Sequence, residues 1–191
     1  MRTRTAALAA MLAACLPVPA HAAVRPQIVD PAGDQVAAMG GSYDVLSALF
    51  TTGGVNVRAG RRTVYVPTRL VVTVTYAGPV ATDAYRAQVV SFATAECRVY
   101  LEVYGAAQDT YGSASCLGTA FTFPVKANGA TLAFTLPLSA LQRHLAPGTM
   151  LTNLSTWTNV AEPTSGYESG DLIGNAVTVD FASSAGTYTI R

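Results

Sequence analysis

Cys97-Arg98-Val99-Tyr100-Leu101-Glu102-Val103-Tyr104 alternates between two kinds of residue along its length. Cys97, Val99, Leu101 and Val103 fall on one side, and Arg98, Tyr100, Glu102 and Tyr104 on the other. That period of two belongs to a β-strand with one face on a core and one toward solvent. On a helix the same residues would scatter around the circumference.

Working outward, the same signature recurs between turn residues. Short β-runs are expected at 45–52 (ending at Gly53-Gly54), 55–58, 63–66, 69–76, 85–94, 121–126, 131–136, 150–158, 176–182 and 187–190. Ala59-Gly60-Arg61 and Asn128-Gly129 read as hairpin turns, because glycine and asparagine tolerate positive φ. Residues 105–118 read as a polar loop, and 138–145 as one or two helical turns closed by Pro147-Gly148. About ten strands in one unit predict an all-β chain. The expected form is a single two-sheet β-sandwich or jelly roll over residues 23–191.

Residues 1–22 are a different kind of sequence. Arg2 and Arg4 precede an Ala- and Leu-rich run, and Ala20-His21-Ala22 follows. A basic start, an apolar core too short to span a bilayer and a small-residue cleavage site define a secretory signal peptide. Leu12-Ala13-Ala14-Cys15 offers a second processing site, similar to a lipobox, which would anchor the protein through an acylated Cys15. The favoured expectation is export to the periplasm or medium after cleavage at Ala22, with lipid anchoring at the cell surface as the alternative. Cys97 and Cys116 are then the two thiols of the exported chain. An even pair outside the cytoplasm predicts a disulfide, closing a loop of about 20 residues and contributing roughly 3 kcal/mol.

The chain is 50% hydrophobic and 12% charged. With Arg2 and Arg4 removed, the net charge lies close to zero. Neither nucleic acid nor an anionic membrane finds an overall electrostatic match there. Arg58, Arg61 and Arg62 form a small basic cluster at a hairpin, read as a solvated turn, with contact to an anionic polymer or lipid headgroup as the alternative.

Catalytic chemistry finds few groups. His144 is the one histidine after residue 22, Gly-x-Ser-x-Gly is missing, and Glu96, Glu102, Glu162 and Glu168 form no evident acid pair. Zinc lacks His and Cys ligands. Met39, Met150 and His144 are read as core or surface residues, with His144 exposed. The expectation is a chain that is not an enzyme; a secreted hydrolase using His144 or a glutamate is the least favoured reading.

Carboxylates offer more. Asp30-Pro31-Ala32-Gly33-Asp34 brings two together across a turn, with Asp44 close behind and Asp180 on a late strand, opposite Val177, Val179 and Phe181. Calcium takes several oxygen ligands of this kind. The alternative is a pair of Asx-turns that hold no metal. No organic cofactor is expected. Tyr100, Tyr104 and Trp157, with Tyr111 and Tyr167, are candidates for contact with sugar rings. For Trp157 the competing assignment is simple burial in the core.

The order of motifs resembles a known group. An Asp-x-x-Gly-Asp segment precedes Tyr43-Asp44-Val45; then come Leu132-Ala133-Phe134-Thr135-Leu136, Pro137-Leu138-Ser139-Ala140-Leu141 and Ala146-Pro147-Gly148-Thr149. This is similar to the DOMON-like β-sandwich modules, which include family 9 carbohydrate-binding modules and the C-terminal module of glucodextranase-type enzymes. The resemblance covers most of residues 28–182. It implies a two-sheet sandwich; some members hold calcium near the N-terminal acidic segment, sugar binders use aromatics, and others hold haem through Met and His. The expected function is a non-catalytic module binding a glycan or cell-envelope component, with calcium as the candidate stabilising ion. The alternative is a cell-surface structural or protein-interaction domain.

Overall fold

The computed structural model describes residues 25–34, 41–80, 86–105, 110–117, 119–141, 144–161 and 176–191. Residues 1–22, including Cys15, and Met39, Glu162, Tyr167 and Glu168 lie outside these residues. Eleven strands are present among the described residues: β1 (Ile28–Val29), β2 (Val45–Ala59), β3 (Arg62–Tyr76), β4 (Arg86–Ala93), β5 (Arg98–Tyr104) and β6 (Thr110–Cys116). After them come β7 (Thr119–Asn128), β8 (Thr131–Pro137), β9 (Met150–Ala161), β10 (Ala176–Ser184) and β11 (Tyr188–Thr189). The helical turn near 138–145 is a 3-10 helix, Leu138–Leu141.

The chain is all-β, and its hydrogen bonding does not divide into two sheets. One antiparallel path runs β1-β2-β3-β8-β7-β6-β5-β4-β9-β10, with β11 added to β9. The sheet rolls until β10 lies against β1 and β2. Its halves face each other across one core: Phe50 of β2 meets Phe92 of β4 edge to face, with centroids 6.1 Å apart. A sandwich-like interior is thus reached by curling, with the strong twist that long antiparallel strands carry.

Alternation places the core as expected on β5. Val99, Leu101 and Val103 are buried, while Arg98 and Tyr104 are exposed. The same pattern supplies Leu70, Val72 and Val74 from β3 and Leu132, Phe134 and Leu136 from β8. Each such side chain contributes about 1.5–3 kcal/mol by leaving water.

Two expectations fail for steric reasons. Gly53-Gly54 does not end a strand, because β2 continues through it against a register shift in β3. A Cβ on Gly54 would collide with the Val66 carbonyl oxygen, so glycine there admits the bulged partner backbone. The expected polar loop 105–118 contains β6, whose inward residues are Gly112, Ala114 and Cys116. A Cβ on Gly112 would lie 2.6 Å from Phe123 Cζ, so small residues fill this strand's core positions and hide its alternation.

Candidate functional site

Four carboxylates gather where the first and last parts of the rolled sheet meet. Asp30 follows β1, held by its own N–H donating to Leu46 O at 2.9 Å. The turn after it is pinned by Gly33 N–H donating to Asp44 Oδ2 at 2.8 Å. Across the seam, Val45 N–H donates to Asp180 Oδ2 at 2.5 Å, tying β2 to β10. Carboxylate oxygens of Asp30, Asp34 and Asp180 all lie within 4.8 Å of one another. Asp44 is 3% and Asp180 5% exposed.

Asp180 points inward for a reason that simple alternation misses. The register shifts between Thr178 and Asp180, so the pairing resumes at Asp180 opposite Thr158. Val177 and Phe181 are consequently exposed, while Val179 at the shift is buried.

Crowding of like charge leaves a chemical mark. Burial, followed by the charges of Asp34, Asp180 and Asp44, pushes the Asp30 pKa up to about 6. Asp180 is also raised, by burial first and then by Asp34 and Asp44, against the opposing hydrogen bonds from the Val45 and Phe181 backbone. Asp30 Oδ2 and Asp44 Oδ1 are buried without a hydrogen-bond donor among the described residues. An all-oxygen donor set with unsatisfied buried oxygens suits a hard cation such as calcium. The alternative Asx-turn is not what holds Gly33, whose donor goes to Asp44.

Behind the carboxylates the core is polar. Tyr76 Oη donates to Gln88 Oε1, which also accepts from Thr158 Oγ1 at 2.7 Å. Gln88 Nε2 donates to Thr156 Oγ1 at 2.7 Å and to Val89 O at 3.1 Å. The Arg86 guanidinium, on a residue only 1% exposed, lies 4.5 Å from the Tyr76 ring centroid and 5.5 Å from that of Tyr43. A buried cation over two aromatic faces, beside an acidic cluster, makes this end of the interior electrostatically organised.

On the outer surface, Tyr100 of β5 and Trp157 of β9 meet above β4 with centroids 6.4 Å apart. Trp157 continues to Phe181 of β10 at 6.2 Å. The result is a row of three rings across strands β5, β4, β9 and β10. Trp157 is half-buried on this outer face, because the inward positions of β9 belong to Leu154, Thr156 and Thr158. Tyr104, 39% exposed, donates to Glu102 Oε2 at 3.3 Å. Burial and the Glu102 charge raise its pKa. Phe181 was hidden in the sequence by the shift that turns Asp180 inward.

No family model, curated protein or solved structure matches the chain. The site therefore has to be read from its own chemistry.

The pairing of His144 and the clefts beside it and at Tyr188 were not legible from sequence. His144 is not exposed: its side chain is 13% accessible, and Nδ1 pairs with Glu96 Oε2 at 2.7 Å. This pair lines a cleft of about 280 Å³ with Thr94, Thr149 and Met150. Nearby, the Cys97–Cys116 disulfide joins the approach to β5 to the end of β6, with Cα atoms 5.9 Å apart. A larger cleft, of about 590 Å³, lies among Gln27, Thr52, Tyr65, Tyr188 and Arg191. Tyr188 Oη and Thr52 Oγ1 share a hydrogen bond of 2.6 Å there, and Tyr65 Oη donates to Thr52 O at 3.0 Å.

Proposed function

We propose that this protein is an exported, non-catalytic β module that binds a glycan or another component of the cell envelope. The observation that carries this reading is the row Tyr100–Trp157–Phe181 on the outer sheet face. Sugar rings pack their C–H faces on aromatic surface, and the neighbouring Glu102 and Tyr104 offer hydrogen-bonding oxygens beside it. The resemblance to the DOMON-like modules supports the same class of ligand.

Calcium at Asp30, Asp34, Asp44 and Asp180 belongs to this proposal as a structural ion. Bound there, it would supply positive charge to four crowded carboxylates and fasten the N-terminal segment to β10. Export rests on the character of residues 1–22.

Trp157 is the chain's one tryptophan, so intrinsic fluorescence reads this surface directly. Titration with envelope polysaccharides should shift its emission, and Trp157→Ala should abolish binding seen by calorimetry. Retained binding in that variant, with loss in Tyr188→Ala, would move the site to the larger cleft. No binding to any glycan or envelope fraction would reject the module.

A further inference from the structure

The β2–β3 hairpin is longer than the sheet it belongs to. β3 pairs with β8 only over Arg69 to Thr75, and β1 meets β2 only at Ser47 and Ala48. Residues 54–67 therefore form a two-stranded ribbon with no third strand among the described residues. Such a ribbon is marginal in water by itself.

Its register separates two chemistries. Val55 pairs with Val66 and Val57 with Val64, so four valines share one face. Asn56 pairs with Tyr65 and Arg58 with Thr63 on the other. The valines are 50%, 39%, 45% and 47% exposed in that pairing order. Residues 52–69 also carry Arg58, Arg61, Arg62 and Arg69, with no Asp or Glu.

We propose that this ribbon is a docking arm for an anionic phospholipid surface, its valine face settling into the headgroup–acyl boundary while its arginines meet lipid phosphates. The surface is separate from the aromatic row, and the inference does not rest on glycan binding. Charge complementarity selects the occupant. A polyanionic glycan or nucleic acid would engage the arginines and leave the valine face in water. The arm of a second copy brings the same three arginines, Arg58, Arg61 and Arg62, and no carboxylate to offset them. An anionic bilayer takes up the valine face together with the tip arginines, Arg61 and Arg62. The ribbon is about 20 Å long at strand rise. Its unpaired strand edges confine it to the hydrated boundary, because they could not enter the hydrocarbon unsatisfied.

The test is co-sedimentation of the purified protein with phosphatidylcholine vesicles, with and without phosphatidylglycerol, at low and physiological salt. Binding should require phosphatidylglycerol and weaken with salt. Arg61→Gln combined with Arg62→Gln should weaken it roughly 30-fold, about fivefold per guanidinium. Val57→Ser combined with Val64→Ser should weaken it roughly tenfold or more, with an unchanged melting curve because the arm lies outside the core. Hydrogen exchange on the unaltered protein supplies a variant-free check: anionic vesicles should slow exchange at 55–58 and 63–66. Absence of binding at low salt overturns the proposal. So does binding insensitive to the valine substitutions, or binding that leaves exchange in the arm unchanged. Vesicle-independent self-association lost in the valine variant would assign the face to a second copy instead, also overturning it.

Discussion

The two ends of the rolled interior are closed by different chemistry. At one end Phe50, Phe92, Val99 and Leu136 pack as hydrocarbon, with the Cys97–Cys116 disulfide alongside. At the other, Tyr76, Gln88, Thr156 and Thr158 are held by hydrogen bonds, with Arg86, Asp44 and Asp180 buried beside them. The strands are the same strands: β4 carries Arg86 and Gln88 near its start and Phe92 near its end. Each end therefore draws its stability from a different source. The apolar end gains from every methylene removed from water. The polar end gains only while each partner is present and each charge is compensated.

The largest loss is expected at the apolar end. Phe92→Ala should lower stability by about 3–5 kcal/mol in urea unfolding, because it empties the ring contact with Phe50. Next in size is the disulfide. Cys97→Ser with Cys116→Ser should lose roughly 3 kcal/mol, read as a lower urea midpoint under oxidising conditions. Equal stability in the double variant would remove the bridge from the account.

On the polar side, Gln88→Leu should cost about 1–3 kcal/mol despite adding apolar surface, because Tyr76, Thr156 and Thr158 lose a shared partner. A neutral or stabilising result would mean that this end behaves as ordinary core. The smallest effect should come from Asp30→Asn in chelator at neutral pH. It should raise the melting temperature slightly, by removing one charge from the crowded cluster.

Legibility in the sequence follows the same division. β5 and the apolar end were readable because Val99, Leu101 and Val103 alternate with polar residues. The polar end was not, because Gln88, Thr156 and Thr158 occupy inward positions that alternation assigns to hydrophobes. The four aspartates were picked out by type and proximity to a turn, yet the reason Asp180 faces them is a register shift that no period of two contains. β6 was lost because Gly112 and Ala114 are inward residues too small to look like core. The curled sheet follows from long-range pairing, above all β3 with β8 and β4 with β9, for which the chain carries no local signal.

The polar end also has a pH signature. Asp30 holds its proton more tightly in the folded protein, with a pKa of about 6 against an ordinary 3.8. Without a cation, the folded state binds more protons across that window, so its contribution to stability falls as pH rises from 3.8 to about 6 and stays low above it. Raised Asp180 acts in the same direction. A cation bound to the ionised cluster should reverse the loss at neutral pH and be displaced by protons as pH falls.

Melting curves in calcium and in chelator, taken from below pH 4 to above pH 6, test the proposed seam most directly. The expected result is a melting temperature that falls with rising pH in chelator, rises with millimolar calcium at neutral pH, and loses its calcium response in Asp180→Asn. Superimposable curves with calcium and chelator at neutral pH would contradict it.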